Sequence, residues 1–368
     1  MRISLPVIVF VFLNAGCDRF VMKTSSRVTM DGPVTTAVDI PPVSPTAGKL
    51  RAIVVQQGAA NARVAVVDVD GLIMNAPFVG PLSVGENPVA LFREKLDAIE
   101  CDPCVRAVVL RVNSPGGGVA ACQAMRRDLE RFKARTRKPV VACLLDQATG
   151  GAYYLATAAD SVVATPGTVT GGLGVILNLY NLKELMAQFN IIPQTIKAGP
   201  NSDIGTSARP LKPEERQLLE RMAGDYHEQL LAEVRHARPQ IEAIDATLPE
   251  GDDERWWWPP VAKKSTALDG RVFTAAQAQT LGLVDRLGDL DGAIELAAQM
   301  AGGGPIRPQA LLYRRSNDPA NSIYAVTANT PLQAAGLFPS LPGLDRAKLP
   351  TFLSVWQTDM TVEKLSGK

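Results

Sequence analysis

Two glycine-bearing segments hold the residue types that could do chemistry. Val108–Gly118, VVLRVNSPGGG, is an apolar run that ends in Gly116-Gly117-Gly118. Asp146–Asp160, DQATGGAYYLATAAD, places Thr149 directly before Gly150-Gly151. Glycine lets main-chain N–H groups approach a ligand without an intervening Cβ, and a developing oxyanion needs such donors. A tight strand–helix turn also wants glycine, so the residues alone leave both readings open. Amide hydrolysis further requires an activated oxygen and a base to take its proton. Lysine can be that base where desolvation draws its pKa toward neutrality. His227 and His236 both fall on one long helical pattern and offer no serine–histidine arrangement.

Metal chemistry has little to work with. Cys101-Asp102-Pro103-Cys104 has CxxC spacing, but there is no second CxxC, and the two histidines lie far downstream. No zinc site, other metal or cofactor is expected. A local disulfide in an oxidising compartment and two surface or half-buried thiols are both open for this pair. Cys143 sits in an apolar run and reads as a core residue.

The 368 residues carry 46% hydrophobic and 20% charged side chains with a net charge of +1. This is the balance of a globular chain with an ample core, and it argues against a nucleic-acid or other polyanion binder. At the N-terminus, Met1-Arg2 precedes an apolar run, Ile3–Leu13, too short to span a bilayer comfortably. Asn14-Ala15-Gly16-Cys17 resembles a bacterial lipobox in which Cys17 is lipidated, although Asn14 departs from the usual aliphatic residue; an ordinary secretory signal is the alternative. Asp18 resembles the signal that retains lipoproteins at the inner membrane. The expected organisation is a signal peptide over 1–16, a flexible tether over 17–62, a folded domain over 63–302 and a weakly ordered tail over 303–368.

The elements follow from periodicity. Arg63–Ile73, Ala107–Val112, Pro139–Leu145, Ser161–Ala164 and Ile192–Ile196 read as strands. Pro88–Glu100 and Val119–Phe132 carry helical spacing. Gly150–Ala159, Pro213–Arg235, Ala275–Leu281 and Gly292–Met300 are further helices. Leu218, Met222, Tyr226, Leu230 and Val234 form a four-residue stripe suited to a core or a subunit interface. Strand, glycine turn and helix alternate, which predicts right-handed crossovers and a largely parallel sheet. Trp256-Trp257-Trp258 suits a membrane interface or protein contact as well as local packing. Arg314-Arg315 reads as a solvated pair.

Five motifs in order carry a resemblance to the signal peptide peptidase family of serine–lysine peptidases. They are Val108–Gly118, Lys138–Asp160, TPGTVTGGLGVI at Thr165–Ile176, IKAGPNSDIGTSARPL at Ile196–Leu211, and GRVFTAAQAQTLGLVDRLG at Gly270–Gly288. The resemblance spans about Arg63 to Ala301 and implies an α/β, ClpP/crotonase-like fold of repeated strand–strand–helix units, of the short single-domain kind. It places the oxyanion donors at Gly116 and Gly117. It also places the nucleophile at Gly150, the lysine at Ser202 and the serine that orients the amine at Gly172. Three separate segments therefore lack the chemical group that the family carries there.

The resemblance implies a membrane-tethered, dyad-deficient relative, facing the periplasm or cell exterior of a bacterial envelope, that binds peptide or signal-peptide segments. It also implies a homo-oligomeric ring, or a mixed ring with an active relative. An active alternative takes Thr149 as a relocated nucleophile and Lys197 as its base. It needs compensating shifts, and Lys197 lies up to about 16 Å of extended chain from Ser202. A crotonase-like acyl-thioester enzyme is the remaining class; no acid–base carboxylate stands out near the glycines for it, although Asp146 and Asp203 are unassigned.

Overall fold

Nearly every residue of Val64–Val69, Ala107–Val112 and Val140–Leu144 is apolar, the pattern of strands covered on both faces. In the computed structural model they are neighbouring strands at the centre of one sheet. The structure describes residues 48–76, 79–80, 83–84, 86–243, 267–304, 307–316, 318, 320–325 and 352–356. All of them belong to one unit, Pro42–Lys368.

In chain order the strands begin with β1 (Arg51–Gln56), β2 (Ala59–Ile73), β3 (Val79–Gly80), β4 (Ser83–Val84), β5 (Val105–Gly118) and β6 (Val140–Thr149). They continue with β7 (Ser161–Ala164), β8 (Val169–Gly171), β9 (Val272–Thr274), β10 (Arg286–Leu287), β11 (Pro308–Arg314) and β12 (Leu353–Val355). The helices are α1 (Pro88–Glu100), α2 (Val119–Thr136), α3 (Gly151–Ala156), α4 (Lys183–Gln188), α5 (Pro213–Ala237), α6 (Gln240–Ala243), α7 (Ala275–Thr280) and α8 (Leu290–Met300).

The sheet runs β1-β11-β2-β5-β6-β7-β10, and every pairing from β11 to β10 is parallel. Val66 lies opposite Val109, and Leu110 opposite Ala142. β8 extends the far end of β6 in parallel and pairs antiparallel with β9. β3 and β4 form a separate hairpin. Alternation sends Ala65, Val67, Val108, Leu110 and Ala142 to one face, against Phe92 and Leu96 of α1 and Leu129 and Phe132 of α2. Val64, Val66, Val109, Val141 and Cys143 meet Leu290, Ile294 and Ala297 of α8 on the other. α1 starts at an Asn87 cap whose Oδ1 accepts the Val89 N–H at 3.0 Å.

Several expectations are corrected. The sheet starts at Arg51, inside the segment expected as a tether, because β1 finds an antiparallel partner in β11. Within the expected weakly ordered tail, β11 is buried along its whole length. Ile192–Ile196 forms no strand: it has no ladder partner, and Ile196 is fully exposed. The glycine cluster is the end of β5 rather than a turn after it. The stripe of α5 divides, with Leu230 and Val234 buried and Leu218 and Met222 exposed.

Arg314 and Arg315 are not solvated. Arg314 is 1% exposed and binds Asp68 at 3.1 Å and Asp318 at 3.0 Å. Arg315 pairs with Glu86 and, at 2.6 Å, with Glu94. Asp68 also meets Arg111 at 2.5 Å and Lys95 at 3.3 Å. Burial pushes its carboxyl up, but Lys95, Arg111 and Arg314 outweigh burial and hold it below the ordinary range. Asp70 is placed less well, with Arg111 4.0 Å away and its Oδ2 without a hydrogen bond. Burial, reinforced by the Asp68 carboxylate, pushes the Asp70 carboxyl up to about 6.

A carboxyl of the unfolded chain titrates near 4, so the folded form holds the Asp70 proton more tightly. The stabilisation this gives is complete below about pH 4 and lost as the pH rises through about 6. Asp70→Asn stays neutral throughout. Its loss of stability between pH 4 and pH 7 should be smaller than the parent's by about 2 kcal/mol, read from denaturant unfolding at the two pH values.

Candidate active site

β6 ends at Thr149, Gly150 turns the chain at φ 55° and ψ −125°, and α3 begins at Gly151. A sharp strand–helix elbow of this kind presents a nucleophile at a sheet edge, and its positive φ strains any residue with a Cβ. The Gly150 N–H donates to Gly171 O at 2.8 Å, and Gly150 O accepts the Tyr154 N–H at 3.0 Å. α3 is fixed from below: the buried Tyr153 hydroxyl donates to Leu283 O at 2.8 Å, and the Arg126 guanidinium covers the Tyr154 ring at 4.8 Å. The elbow is rigidly held, and position 150 carries no side chain.

The glycine end of β5 lies beside it. Ser114 Oγ accepts the Gly116 N–H at 3.1 Å and donates to Gly71 O at 2.6 Å. Gly117 packs so closely on β2 that a Cβ there would stand 1.9 Å from Ile73 O. The two residues expected as oxyanion donors are thus beside Gly150, with the Gly116 N–H already engaged by Ser114.

Between these edges lies the chain's own Phe352–Trp356. β12 pairs antiparallel with β5, setting Leu353 opposite Gly118, Ser354 opposite Gly117 and Val355 opposite Gly116. Val119 N–H donates to Phe352 O, and Trp356 N–H to Pro115 O, each at 3.1 Å. On the other side Ile176 and Leu353 exchange N–H···O bonds of 2.8 and 2.9 Å. The segment is therefore bonded along both edges, as an added strand is in β-augmentation.

The Ser354 carbonyl rests in a glycine cradle. A Cβ on Gly116 would stand 2.1 Å from Ser354 O, one on Gly150 2.4 Å, and one on Gly151 3.3 Å. The Gly150 Cβ would also be 2.7 Å from the Ser354 carbonyl carbon. Trp356 O accepts Gln147 Nε2 at 2.7 Å and Thr149 Oγ1 at 3.2 Å. The side chains that these bonds bring to the cradle, Ser114, Gln147 and Thr149, are all neutral.

The structure brings Gly116, Gly117, Gly150, Thr149 and Gly172 together. Gly172 sits at φ +63°, where a side chain is strained, and a Cβ there would be tightly placed, 3.0 Å from the Trp356 Cβ and 3.3 Å from that of Thr149. Thr149 is fully buried, its Oγ1 shared between the carbonyls of Pro115 and Trp356. Ser202 and Lys197 lie elsewhere, on an exposed arm. Ser202 Oγ donates to Ala198 O, and Lys197 Nζ binds Asp203 at 2.5 Å and Pro200 O at 3.2 Å. Arg209, with Lys197, holds the Asp203 carboxyl well below the usual carboxylate range. Asp146 is exposed.

The cysteines are quiet. Cys101 and Cys104 are free, exposed thiols with no bond between them. Cys122 would meet a Cβ on Gly151 at 2.3 Å, and burial pushes its thiol up to about 12. Cys17 and Trp256-Trp257-Trp258 lie outside the described residues. Sequence reasoning missed the Phe352–Trp356 strand. Its signal was FLSVW, a short β-forming run in a Pro-rich tail.

A glycine loop beside a strand–elbow–helix is the layout of a serine-type acyl-transfer site, carried here on a ClpP/crotonase-like α/β fold. Residues 133–250 match Peptidase family S49. The chain is 30% identical over 268 residues to the chloroplastic serine protease SPPA of Arabidopsis thaliana, covering 72% of this chain and 36% of that one. It is 30% identical over 238 residues to Protease 4 of Salmonella typhi, covering 65% of this chain and 34% of that one. It thus spans about a third of the length of these two curated relatives. A solved structure of the membrane-bound stomatin-specific protease 1510-N with a substrate peptide is 14% identical, with a TM-score of 0.35 over 62% of this chain and 77% of that one. The chain belongs to peptidase family S49, the signal peptide peptidase family.

Thr149→Val removes the hydroxyl shared by two carbonyls. It should cost about 1 kcal/mol, a fall of roughly 2–4 °C in thermal midpoint.

Proposed function

We propose that this family S49 chain binds extended peptide segments in its groove and does not hydrolyse them. The observation that carries the reading is Gly150, an elbow held as a nucleophile's would be, with no atom to attack. Among the described residues the positions expected to supply the base do not do so. Ser202 is no amine, and Lys197 is committed to Asp203 on the exposed arm. Gly172 has no hydroxyl to orient one. Thr149 is a poor substitute nucleophile, because its oxygen is buried between two carbonyls with no amine among the described residues bonded to it. An acyl-thioester reading finds no free carboxylate in the cradle, since Asp203 is ion-paired and Asp146 is exposed.

After removal of the signal peptide 1–16, a lipid on Cys17 would tether the chain to the inner membrane of a bacterial envelope, with the domain facing the periplasm. Among the described residues no helix is long and apolar enough to cross a membrane. Phe189, Ile191, Ile192 and Ile196 are exposed on the arm, with Phe189 at 70%. Such a surface suits assembly with a second copy or an active relative. In a mixed ring whose sites are shared between neighbours, each copy would silence two sites.

Intact, purified protein incubated with a fluorophosphonate or a peptide aldehyde should show no mass shift. An adduct on Thr149 would overturn the reading. Gly150→Ser should remain at the parent's background in peptide hydrolysis, because a hydroxyl without a base gains little; turnover restored by that single change would place a base in the groove. Titrating the chain into an active relative should lower activity per active protomer, and unchanged activity at high incorporation would exclude the mixed ring.

A further inference from the structure

We infer that Phe352–Trp356 is a built-in ligand that closes the groove, and that the groove takes another peptide only by exchanging this segment for one of like pattern. The inference rests on the peptide-binding reading above and names its regulation and its ligand class. A strand satisfied on one edge could be a packing accident. This one is bonded on both, to Val119 and Pro115 on the β5 side and to Ile176 on the other. Leu353 and Ser354 are buried, and Phe352 packs on Tyr226 of α5 with ring centroids 5.0 Å apart.

The fit depends on missing side chains. The Ser354 carbonyl reaches the cradle only because residues 116 and 150 have no Cβ. A seryl Cβ at 150 would overlap both atoms of that carbonyl. A side chain at 150 and the seated tail therefore exclude each other, and loss of the nucleophile is what makes room for the tail.

The tail also spells out what the groove accepts: an extended run of apolar residues, Phe352, Leu353, Val355 and Trp356, around one small residue, Ser354. The match is imperfect at the centre. Ser354 Oγ is fully buried without a hydrogen-bond partner, a penalty that an alanine would not carry. A tethered segment acts at an effective concentration on the order of 1 mM. Against a free peptide with a dissociation constant of about 100 μM, it would weaken binding about ten-fold. The tail is thus strong enough to exclude weak ligands and weak enough to yield to better ones.

The test uses a fluorescent peptide of sequence PTFLSVWQ, which is residues 350–357, and fluorescence anisotropy. The chain lacking residues 350–368 should bind it about ten-fold more tightly than the full chain. Leu353→Pro, in the full-length chain, removes the N–H bonded to Ile176 O and should give the same gain even if truncation impairs folding. Hydrogen exchange should find the Val119 and Ile176 amides protected in the full chain, exposed in both variants, and protected again by the peptide. PTFLAVWQ should bind the opened groove about five-fold more tightly than PTFLSVWQ, and weaker binding would overturn the assigned register. Equal affinity for full, truncated and Leu353→Pro chains would overturn the closure while leaving peptide binding intact. A folded, truncated chain that binds neither peptide would overturn the peptide-binding reading along with it.

Discussion

Main chains pressed together without side chains between them set the character of this protein. At the ends of β5 and β6 the backbone of the fold and a third strand come within a distance that no Cβ tolerates. Everything else at the edge follows from that contact. The Gly150 elbow can turn at positive φ, the β5 glycines can pair with a strand on their open side, and a carbonyl can settle among them. The same contact leaves no volume for a nucleophile.

The sheet makes such precision possible. β5 and β6 are buried on both faces by α1, α2 and α8, so their ends do not drift. α3 is pinned through Tyr153 and Tyr154, which keeps the elbow from relaxing. Farther out the restraint falls away. The arm from Phe189 to Asp203 is held mainly by the ion pairs of Asp203 with Lys197 and Arg209, and its apolar side chains face outward. Ser202, where the resemblance sets the family's lysine, lies on this exposed arm.

Much of this was legible in the sequence, for definable reasons. β2, β5, β6 and β7 declare themselves through dense apolar runs, and α2 and α5 through their spacing. Gly150 and Gly172 could be placed at the elbow and beside it because their motifs have distinctive neighbours. Ile192–Ile196 misled because β-branched residues look alike whether they enter a sheet or face outward, and only a ladder partner decides. Arg314 misled because two consecutive arginines suggest solvent, whereas the partners that draw Arg314 inward include Asp68, more than two hundred residues earlier. β1 and β12 were illegible for the same reason: each is a short strand whose stability comes from a distant neighbour. Local pattern shows which residues suit a strand, and long-range pairing decides which become one.

β11 and β12 hold the C-terminal region at two independent places. Detaching the second would leave the pairing of the first with β1 and β2 in place. Position 150 and the five residues after Thr351 are meanwhile locked into one steric bargain. A mutation restoring a hydroxymethyl at the elbow meets an occupied slot, and one that empties the slot still finds nothing there to attack. On the reading proposed above, a peptidase would need both changes here, and a proton acceptor besides. On that reading, loss of the reaction works as a ratchet, easy to enter by single steps and closed to single steps in reverse.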